Sequence, residues 1–570
     1  MTQRKPAPSR EQMEQLVHAV VANEPVFAVG EVDVFGVKQP GYVNAPPDLR
    51  FVLLKAMEHA DKTAVVYGDT RWTYGELVGK SVAVANGLRA RADFEQGTRV
   101  ALALRNCPEW MAAFLGVIAA GGVVVPLNGW WTTSELEYAL KDCQAKLVIA
   151  GTRQSERLKP IKTELGLTLI AGYGEQGEAD GTLTEIMAAG ANQPPPEIAL
   201  APEDDFAIFY TSGSTGAPKG AVLTQRGVVT TVLSYALLGA GLKLANDGED
   251  FFGSDPGILV AVPLFHCTGS HAVFLMSLIA GRKMVLMRKW DAGEAVDLVQ
   301  SEKLTNMVGV PTMTHEMTLE AERRGVSLDT LMDMGSGGAK RPAAHVKKLN
   351  ETFPQAWSSS GYGLTETNAL GTYNGLTDYQ ARPGSCGRPV PAVTQVKTVR
   401  ADGSDAATGE EGEVWIRSPA VFRGYLNQPE ATAAVLTEDR WFKTGDLGII
   451  DEEGFLSIVD RLKDMILRGG ENISCLEVEG ALAQHPDVLE SAVIGIPDER
   501  LGERVGAAIV MRPDSQTTDA DISAFLEPLL APYKRPEVFW RMDGPLPRVG
   551  TGKIDKPGLR LDLLAPDNER

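Results

Sequence analysis

Residues 210–220 read YTSGSTGAPKG, eleven positions holding three glycines, four aliphatic hydroxyls, one proline and a single lysine. Glycines at 213, 216 and 220 admit backbone conformations that other residues resist, so successive N–H groups can turn toward one anion. Thr211, Ser212, Ser214 and Thr215 add hydroxyl donors and Lys219 adds a charge. The stretch therefore reads as a phosphate cradle, with a flexible Gly/Ser linker as the plain alternative. The common nucleotide loop GxxxxGK[ST] is disfavoured, because Pro218 precedes Lys219 and Gly220 follows it. Upstream, DDFAIFY at 204–210 predicts a buried strand; downstream, AVL leads through Thr224, an N-cap residue type, into the helical VVTTVLSYALL.

Strand and helix alternate on both sides of this loop. TAVVYG precedes a helix from Tyr74 with apolar Leu77, Val82, Val84, Ala85 and Leu88. TRVALAL, CPEWMAAFLGVIAAGG and VVVPLN follow, then ELEYALKDCQ and AKLVIAG; after the loop come AVPLFH, AGRKMVLM, TNMVGVP and MDMGSGG. This rhythm predicts parallel strands joined by crossover helices. Beyond about Pro389, short strands between glycine turns (TQVKTV, GEVWIRS, GFLSIVD) predict a β-rich subdomain. The last hundred or so residues predict a small α+β domain ending in the loop PRVGTGKIDK. The expected fold is α/β. It has a loosely attached lead-in over 1–48 with a short helix near 11–22, and a large N-terminal domain over 49–460 built of αβ-layered subdomains and the β-rich one. A hinge over 461–464 leads to a small mobile C-terminal domain over 465–570.

Composition narrows the function. The 570 residues are 44% hydrophobic, enough for two or more domain cores, and carry a formal net charge of −19. That balance argues against a nucleic-acid binder and leaves an anionic nucleotide in need of local cations. Five cysteines, at 107, 143, 267, 386 and 475, are scattered and without CxxC spacing, which predicts reduced thiols, no structural zinc and a cytoplasmic protein. The amino terminus lacks a signal-peptide core, and VFLMSLIA at 273–280 is too short to cross a membrane. Peripheral membrane contact and homo-oligomerisation are both compatible with this composition.

Seven motifs in order make the chain similar to the adenylate-forming superfamily of acyl-CoA synthetases, adenylation domains and luciferases. They are YTSGSTGAPKG at 210, PLFH ending at His266, GSGGA at 335, GYGLTET at 361, WFKTGDLG at 441, DRLKDMILRGGENIS at 460 and PRVGTGKIDK at 547. With LRNCPEW at 104 and VVVPLN at 123, the match runs from about Thr63 to Lys556. Such enzymes join a carboxylate to the α-phosphate of ATP, release pyrophosphate, and then let a thiol displace AMP to form a thioester.

The resemblance implies a role for each motif residue. Thr211, Ser212, Gly213, Ser214, Thr215 and Lys219 would hold the β and γ phosphates. Thr365 would contact the α-phosphate, and Glu366 with Thr211 would bind Mg²⁺, a hard cation that takes oxygen ligands. Gly338 and Ala339 would form one wall of the adenine slot and Tyr362 the other, with Asp446 and Arg461 on the ribose. Lys553 would stand between the acyl carboxylate and the α-phosphate. Lys463 would be the hinge, and Arg468, Gly469 and Gly470 would line the CoA tunnel. His266 would sit beside the acyl carboxylate, in a pocket shared with Ser270, Val310, Gly337 and Gly363. Taken singly, Thr365-Glu366 reads as a helix cap, Tyr362 as a core aromatic, Asp446 as a turn residue, His266 as a core histidine and Lys553 as a solvated lysine.

The expected activity is an ATP- and Mg²⁺-dependent acid:CoA ligase. No carrier-protein motif follows Lys553, so coenzyme A is the expected thiol, with a stand-alone ligase loading a separate carrier protein as the main alternative. Luciferase-like oxygenation ranks third, and Lys219, Glu366, Asp446, Arg461 and Lys553 argue against a non-enzymatic scaffold. The pocket stretches 267–271, 310–313, 335–338 and 364–371 hold no lysine or arginine, which argues against a second carboxylate on the substrate. Ser270, Gly335 and Gly337 leave room for a medium- or long-chain fatty acid, an aryl or steroid-side-chain acid fitting almost as well. Trp130 and Trp131 read as residues that narrow the cavity or as ordinary core or surface aromatics.

Overall fold

Near-continuous apolar strands, such as those over most of this chain, need helices on both faces of their sheet. The computed structural model describes residues 7–173, 178–211, 218–253, 255–462, 464–468, 471–549 and 553–565. Two sheets make the large domain. In the first, of eight strands, Asp205–Thr211, Val123–Pro126, Arg99–Ala103, Leu147–Ala150 and Thr168–Ala171 run parallel. In the second, of nine, Trp357–Tyr362, Asp333–Gly337, Asn306–Gly309, Gly257–Val260, Lys283–Leu286 and Thr63–Tyr67 do so. One hydrophobic cluster joins both sheets through the helix Pro108–Ala119, whose apolar residues surround its axis. Trp110 stacks on Phe114 at 4.8 Å, and both meet Phe274 edge-on.

A four-stranded antiparallel sheet (Gln395–Val399, Glu411–Arg417, Phe442–Ile450, Leu456–Arg461) is the β-rich subdomain. From Ile466 onward a five-stranded sheet carries the helices Cys475–Leu482, Asp519–Leu526 and Lys556–Leu563. All five cysteines are buried and unpaired.

The lead-in is packed, contrary to its expected loose attachment. The helix Arg10–Asn23, opened by a Ser9–Gln12 capping box, buries Val17 and Val20 in a cluster with Val229, Leu233 and Leu237 of the helix Gln225–Ala245. Arg10 also pairs with Glu453, and Glu14 with Arg388. AVPLFH is not a strand. The strand ends at Val260, and residues 261–267 turn into the π-helical Thr268–Leu275, so His266 lies in an irregular turn. The helix Gln225–Ala245 is by length and composition apolar enough to cross a membrane, which the shorter runs considered from sequence had not suggested; half of its apolar window is buried inside the fold.

Candidate active site

Strands Asp205–Thr211, Asp333–Gly337 and Trp357–Tyr362 end at motif residues, and ligands bind α/β sheets at the carboxyl ends of their strands. Thr211 faces Lys219 across an antiparallel hairpin, its Oγ1 3.5 Å from the Lys219 carbonyl, so Lys219 and Gly220 belong to a strand. Thr224 accepts from the Gly227 N–H at 3.1 Å and caps the helix that follows. Ser212, Gly213, Ser214, Thr215, Lys463, Gly469 and Gly470 lie outside the described residues.

Lys219, Tyr425 and Glu366 form one chain of contacts. The Lys219 ammonium lies 5.1 Å from the Tyr425 ring centroid, and Tyr425 Oη donates to Glu366 Oε1 at 2.8 Å. Tyr425 reaches both because the short strand Gly424–Tyr425 pairs with Ala221 and Val222 at the sheet edge. Glu366, 7% exposed, sits in the 3₁₀ turn Thr365–Thr367. Burial pushes its pKa up, and the Tyr425 hydrogen bond, Arg461 and Lys553 oppose that rise. Buried polar groups hold the turn from behind. His271 Nε2 meets Asn368 Oδ1 at 3.1 Å, Asn368 Nδ2 donates to the Ala420 carbonyl at 2.7 Å, and Tyr235 Oη donates to the Ala369 carbonyl at 2.8 Å. Burial pushes the Cys267 thiol up, and the neighbouring Thr365 side chain opposes that rise.

A second chain links Tyr362, Asp446 and Arg461. Tyr362 Oη donates to Asp446 Oδ2 at 2.7 Å, and Arg461 Nε lies 3.1 Å from Asp446 Oδ1. Asp446 and Arg461 are directly opposed in register, with Asp446 buried and Arg461 44% exposed along its side chain.

Lys553 closes the site from the small domain. A Cβ built on Gly338 would stand 3.2 Å from Lys553 Cε, and Gly338 has φ +78°, so both space and backbone favour glycine there. Nearby, Arg548 donates to Thr312 Oγ1 at 3.3 Å and to Glu490 Oε1 at 2.8 Å, tying the small domain to the large one. Burial pushes the Lys553 ammonium down to about 8; Arg461 adds to the fall, while Asp446 and Glu366 oppose it. Burial and then Lys553 hold His266 down to about 3, so its imidazole is neutral. Its Nε2 is buried without a hydrogen-bond partner.

The remaining pocket residues differ in their surroundings. A Cβ on Gly363 would stand 2.7 Å from the Ala369 carbonyl carbon, whereas one on Gly337 would meet only Gly361 O at 3.6 Å and Thr268 Cγ2 at 4.0 Å. Val310 is buried and lies 4.0 Å from the position of a Gly338 Cβ; Ala339 is exposed. Ser270 is fully buried, its hydroxyl donating to the His266 carbonyl at 3.0 Å and lying 2.8 Å from His271 Nδ1. Arg468 hydrogen-bonds Glu537 of the small domain at 2.8 Å. Two surface clefts, one beside Arg541 and one beside Trp72 and Tyr173, contain none of these residues, and chemistry identifies the site.

Tyr425 escaped the sequence reading, and His271 and Asn368 entered it only within the pocket stretches 267–271 and 364–371, not as supports of the Glu366 turn. RGYLNQPE reads only as a turn, and the pairing that aims Tyr425 at Glu366 crosses 59 residues. Among the described residues no group of three or more His, Cys, Asp or Glu could hold a metal. A single carboxylate such as Glu366 suits Mg²⁺, which keeps waters and takes phosphate oxygens. Tyr425→Phe keeps the ring under Lys219 and removes the hydrogen bond to Glu366. It should weaken the apparent Mg²⁺ affinity of ATP-dependent adenylation by about tenfold, the scale of a hydrogen bond to a charged group. Titrating Mg²⁺ at fixed ATP measures this, and an unchanged midpoint would separate Tyr425 from the carboxylate.

The AMP-binding enzyme family model matches residues 54–426, and the AMP-binding enzyme C-terminal domain model matches 477–553. The chain is 36% identical over 502 residues to a feruloyl-CoA synthase of Amycolatopsis sp, covering 87% of this chain and 95% of that protein. It is 32% identical over 541 residues to a long-chain-fatty-acid–CoA ligase of Bacillus subtilis, covering 90% and 93%. The O-succinylbenzoate coenzyme A synthetase of Bacillus subtilis, solved with ATP and magnesium ion, superposes with a TM-score of 0.75 at 27% identity, covering 90% of this chain and 99% of that one.

Proposed function

The chain belongs to the AMP-binding enzyme family and is an ATP-dependent acid–CoA ligase, and we propose from that premise that its acid is compact and ring-bearing and that it works in the cytoplasm. The reading is carried by the convergence of Lys553, Glu366, Asp446 and Arg461, from separate segments, on one electrostatically coupled cluster.

A carboxylate oxygen of the acid attacks the α-phosphorus of ATP, the bond to pyrophosphate breaks, and the CoA thiol then displaces AMP from the acyl-adenylate. Glu366 and Thr211 would hold Mg²⁺, which would supply neutralisation of phosphate charge. Lys553 stands where two anions, the acid carboxylate and the α-phosphate, must approach, and its ammonium offsets both. Neutral His266 offers its unpartnered Nε2 to the acid carboxylate. Thr365 contacts the α-phosphate. Lys219 and the 211–215 loop retain the pyrophosphate. Tyr362, fixed through its hydroxyl, lays its ring against adenine opposite Gly338 and Ala339, while Asp446 and Arg461 take the ribose. Between half-reactions the small domain turns at Lys463, and Arg468, Gly469 and Gly470 then guide the pantetheine arm.

The slot below Lys553 supports the compact acid over the fatty acid expected from sequence. A Cβ on Gly361 would meet nothing within 4 Å, so the slot is open there. At Gly335 it closes, because a Cβ would stand 3.1 Å from Val308 Cγ2 and 3.2 Å from Ser359 Oγ. Gly338, at φ +78°, lies one residue past the strand Asp333–Gly337, so the run from it to Gly335 spans at most about 10 Å. That depth takes an arylpropenoic acid and stops a long acyl chain. Purified protein with ATP, Mg²⁺ and CoA should turn over cinnamic acid with kcat/KM at least ~10-fold above hexadecanoic acid, the discrimination that pocket shape supplies. Preference for hexadecanoic acid would overturn the compact reading, and AMP release without acyl-CoA would point to a carrier protein.

A further inference from the structure

Arg548 stands at the base of the hairpin that carries Lys553. The Asp555 N–H donates to the Pro547 carbonyl at 2.8 Å, Arg548 and Ile554 oppose each other as an antiparallel pair, and the Val549 N–H donates to the Lys553 carbonyl at 2.9 Å. The backbone of Lys553 is therefore placed by whatever places Arg548. Glu490, on the strand Val488–Asp498, holds this hairpin from inside the small domain. Its Oε2 accepts from the Leu546 N–H at 3.1 Å and its Oε1 from Arg548 Nη2 at 2.8 Å.

The other branch of the guanidinium crosses to the large domain. Arg548 Nη1 donates at 3.3 Å to the hydroxyl of Thr312, in the first turn of the helix Pro311–Arg324. Glu316, one turn further on, shares that face of the helix. Burial pushes the Glu316 carboxyl up, and the hydrogen bond from Trp290 Nε1 at 2.5 Å and the charge of Arg548 oppose the rise. The helix thus meets Arg548 with a hydrogen-bond acceptor and a neighbouring carboxyl. If Thr312 withdrew, Arg548 would keep Glu490, so the contact can break without stranding a buried charge. Such a contact suits a joint that forms and opens in each catalytic cycle.

Resting on the roles given above to Lys553 and to the turning small domain, we propose that Arg548 is a positioning residue for adenylation. It latches the Lys553 hairpin onto Thr312 for the first half-reaction and lets go for the second.

The experiment compares wild type, Arg548→Ala, Thr312→Val, the double variant and Lys553→Ala, using cinnamic or hexadecanoic acid, whichever the wild type prefers. Arg548→Ala should lower kcat for pyrophosphate release roughly 10- to 100-fold, the range for a lost charge-assisted hydrogen bond that misplaces a reacting group. The KM for ATP should stay within about twofold, because the residues assigned to the nucleotide lie in the large domain. Thr312→Val, which removes only the acceptor, should cost about 3- to 10-fold, and the double variant should be no worse than Arg548→Ala, as for two ends of one contact. Single-turnover thioester formation from supplied acyl-adenylate and CoA should stay within about twofold of wild type in these three variants. A general loss of folded protein would lower both half-reactions alike, so their ratio isolates the latch. Wild-type pyrophosphate release by Arg548→Ala, equal loss in both half-reactions, or fully additive losses in the double variant overturns the inference. If Lys553→Ala is impaired in these cases, the role of Lys553 still stands. Unimpaired pyrophosphate release by Lys553→Ala overturns that role and the inference together.

Discussion

Lys553→Ala should lower acyl-adenylate formation by at least ~10²-fold, the loss expected when one preorganised donor to developing charge is removed. Conversion of supplied acyl-adenylate to thioester should suffer far less, because in the proposed mechanism the small domain that carries Lys553 turns away for that step. Pyrophosphate release reports the first half-reaction and a single-turnover thioester assay the second. Equal damage to both would remove Lys553 from the adenylation chemistry. The pH dependence adds an independent readout. Lys553 is held down to about 8, so it is charged below that pH and loses its charge as pH rises through it. The kcat/KM for ATP should therefore hold to about pH 8 and then fall by about tenfold per unit, since this parameter reports groups of the free enzyme. His266, neutral above about 3, adds no limb of its own across this range. Lys553→Arg, charged throughout, should flatten the alkaline fall at a lower absolute rate.

Glu366→Gln should cost on the order of 10²-fold in adenylation, because the buried carboxylate proposed to hold the metal becomes neutral. The variant keeps its shape. Glutamine is nearly isosteric, and its amide oxygen can still accept from Tyr425 Oη, which lies 2.8 Å from the native Oε1. Calorimetric titration separates the causes without relying on turnover. MgATP should bind more weakly to the variant, while ATP in the presence of a chelator should bind equally to both. Weakening of both to the same degree would mean that Glu366 supports the nucleotide pocket and not the metal.

Much of this site could be read from the chain. The glycine-rich loop, GYGLTET and KTGDLG announced nucleotide chemistry because each packs several special residues into a few adjacent positions. The lead-in misled, since its few apolar residues, Val17 and Val20 among them, gain a partner only when the helix Gln225–Ala245 is folded beside them. His266 misled in its local structure, because the apolar run before it reads as strand where the backbone turns into a π-helix.

Sequence alone determined the alternating α/β architecture, the small C-terminal domain, the family motifs and the identity of the charged residues, all of which are written in neighbouring positions or in ordered motifs. Tertiary structure decided which partners those charges have. Tyr425 meets Glu366 across 59 residues and Tyr362 meets Asp446 across 84, through strand register and not through local pattern. The same physics sets the floor of the slot. Only when Asp333–Gly337 lies between Asn306–Gly309 and Trp357–Tyr362 do Val308 and Ser359 close over Gly335.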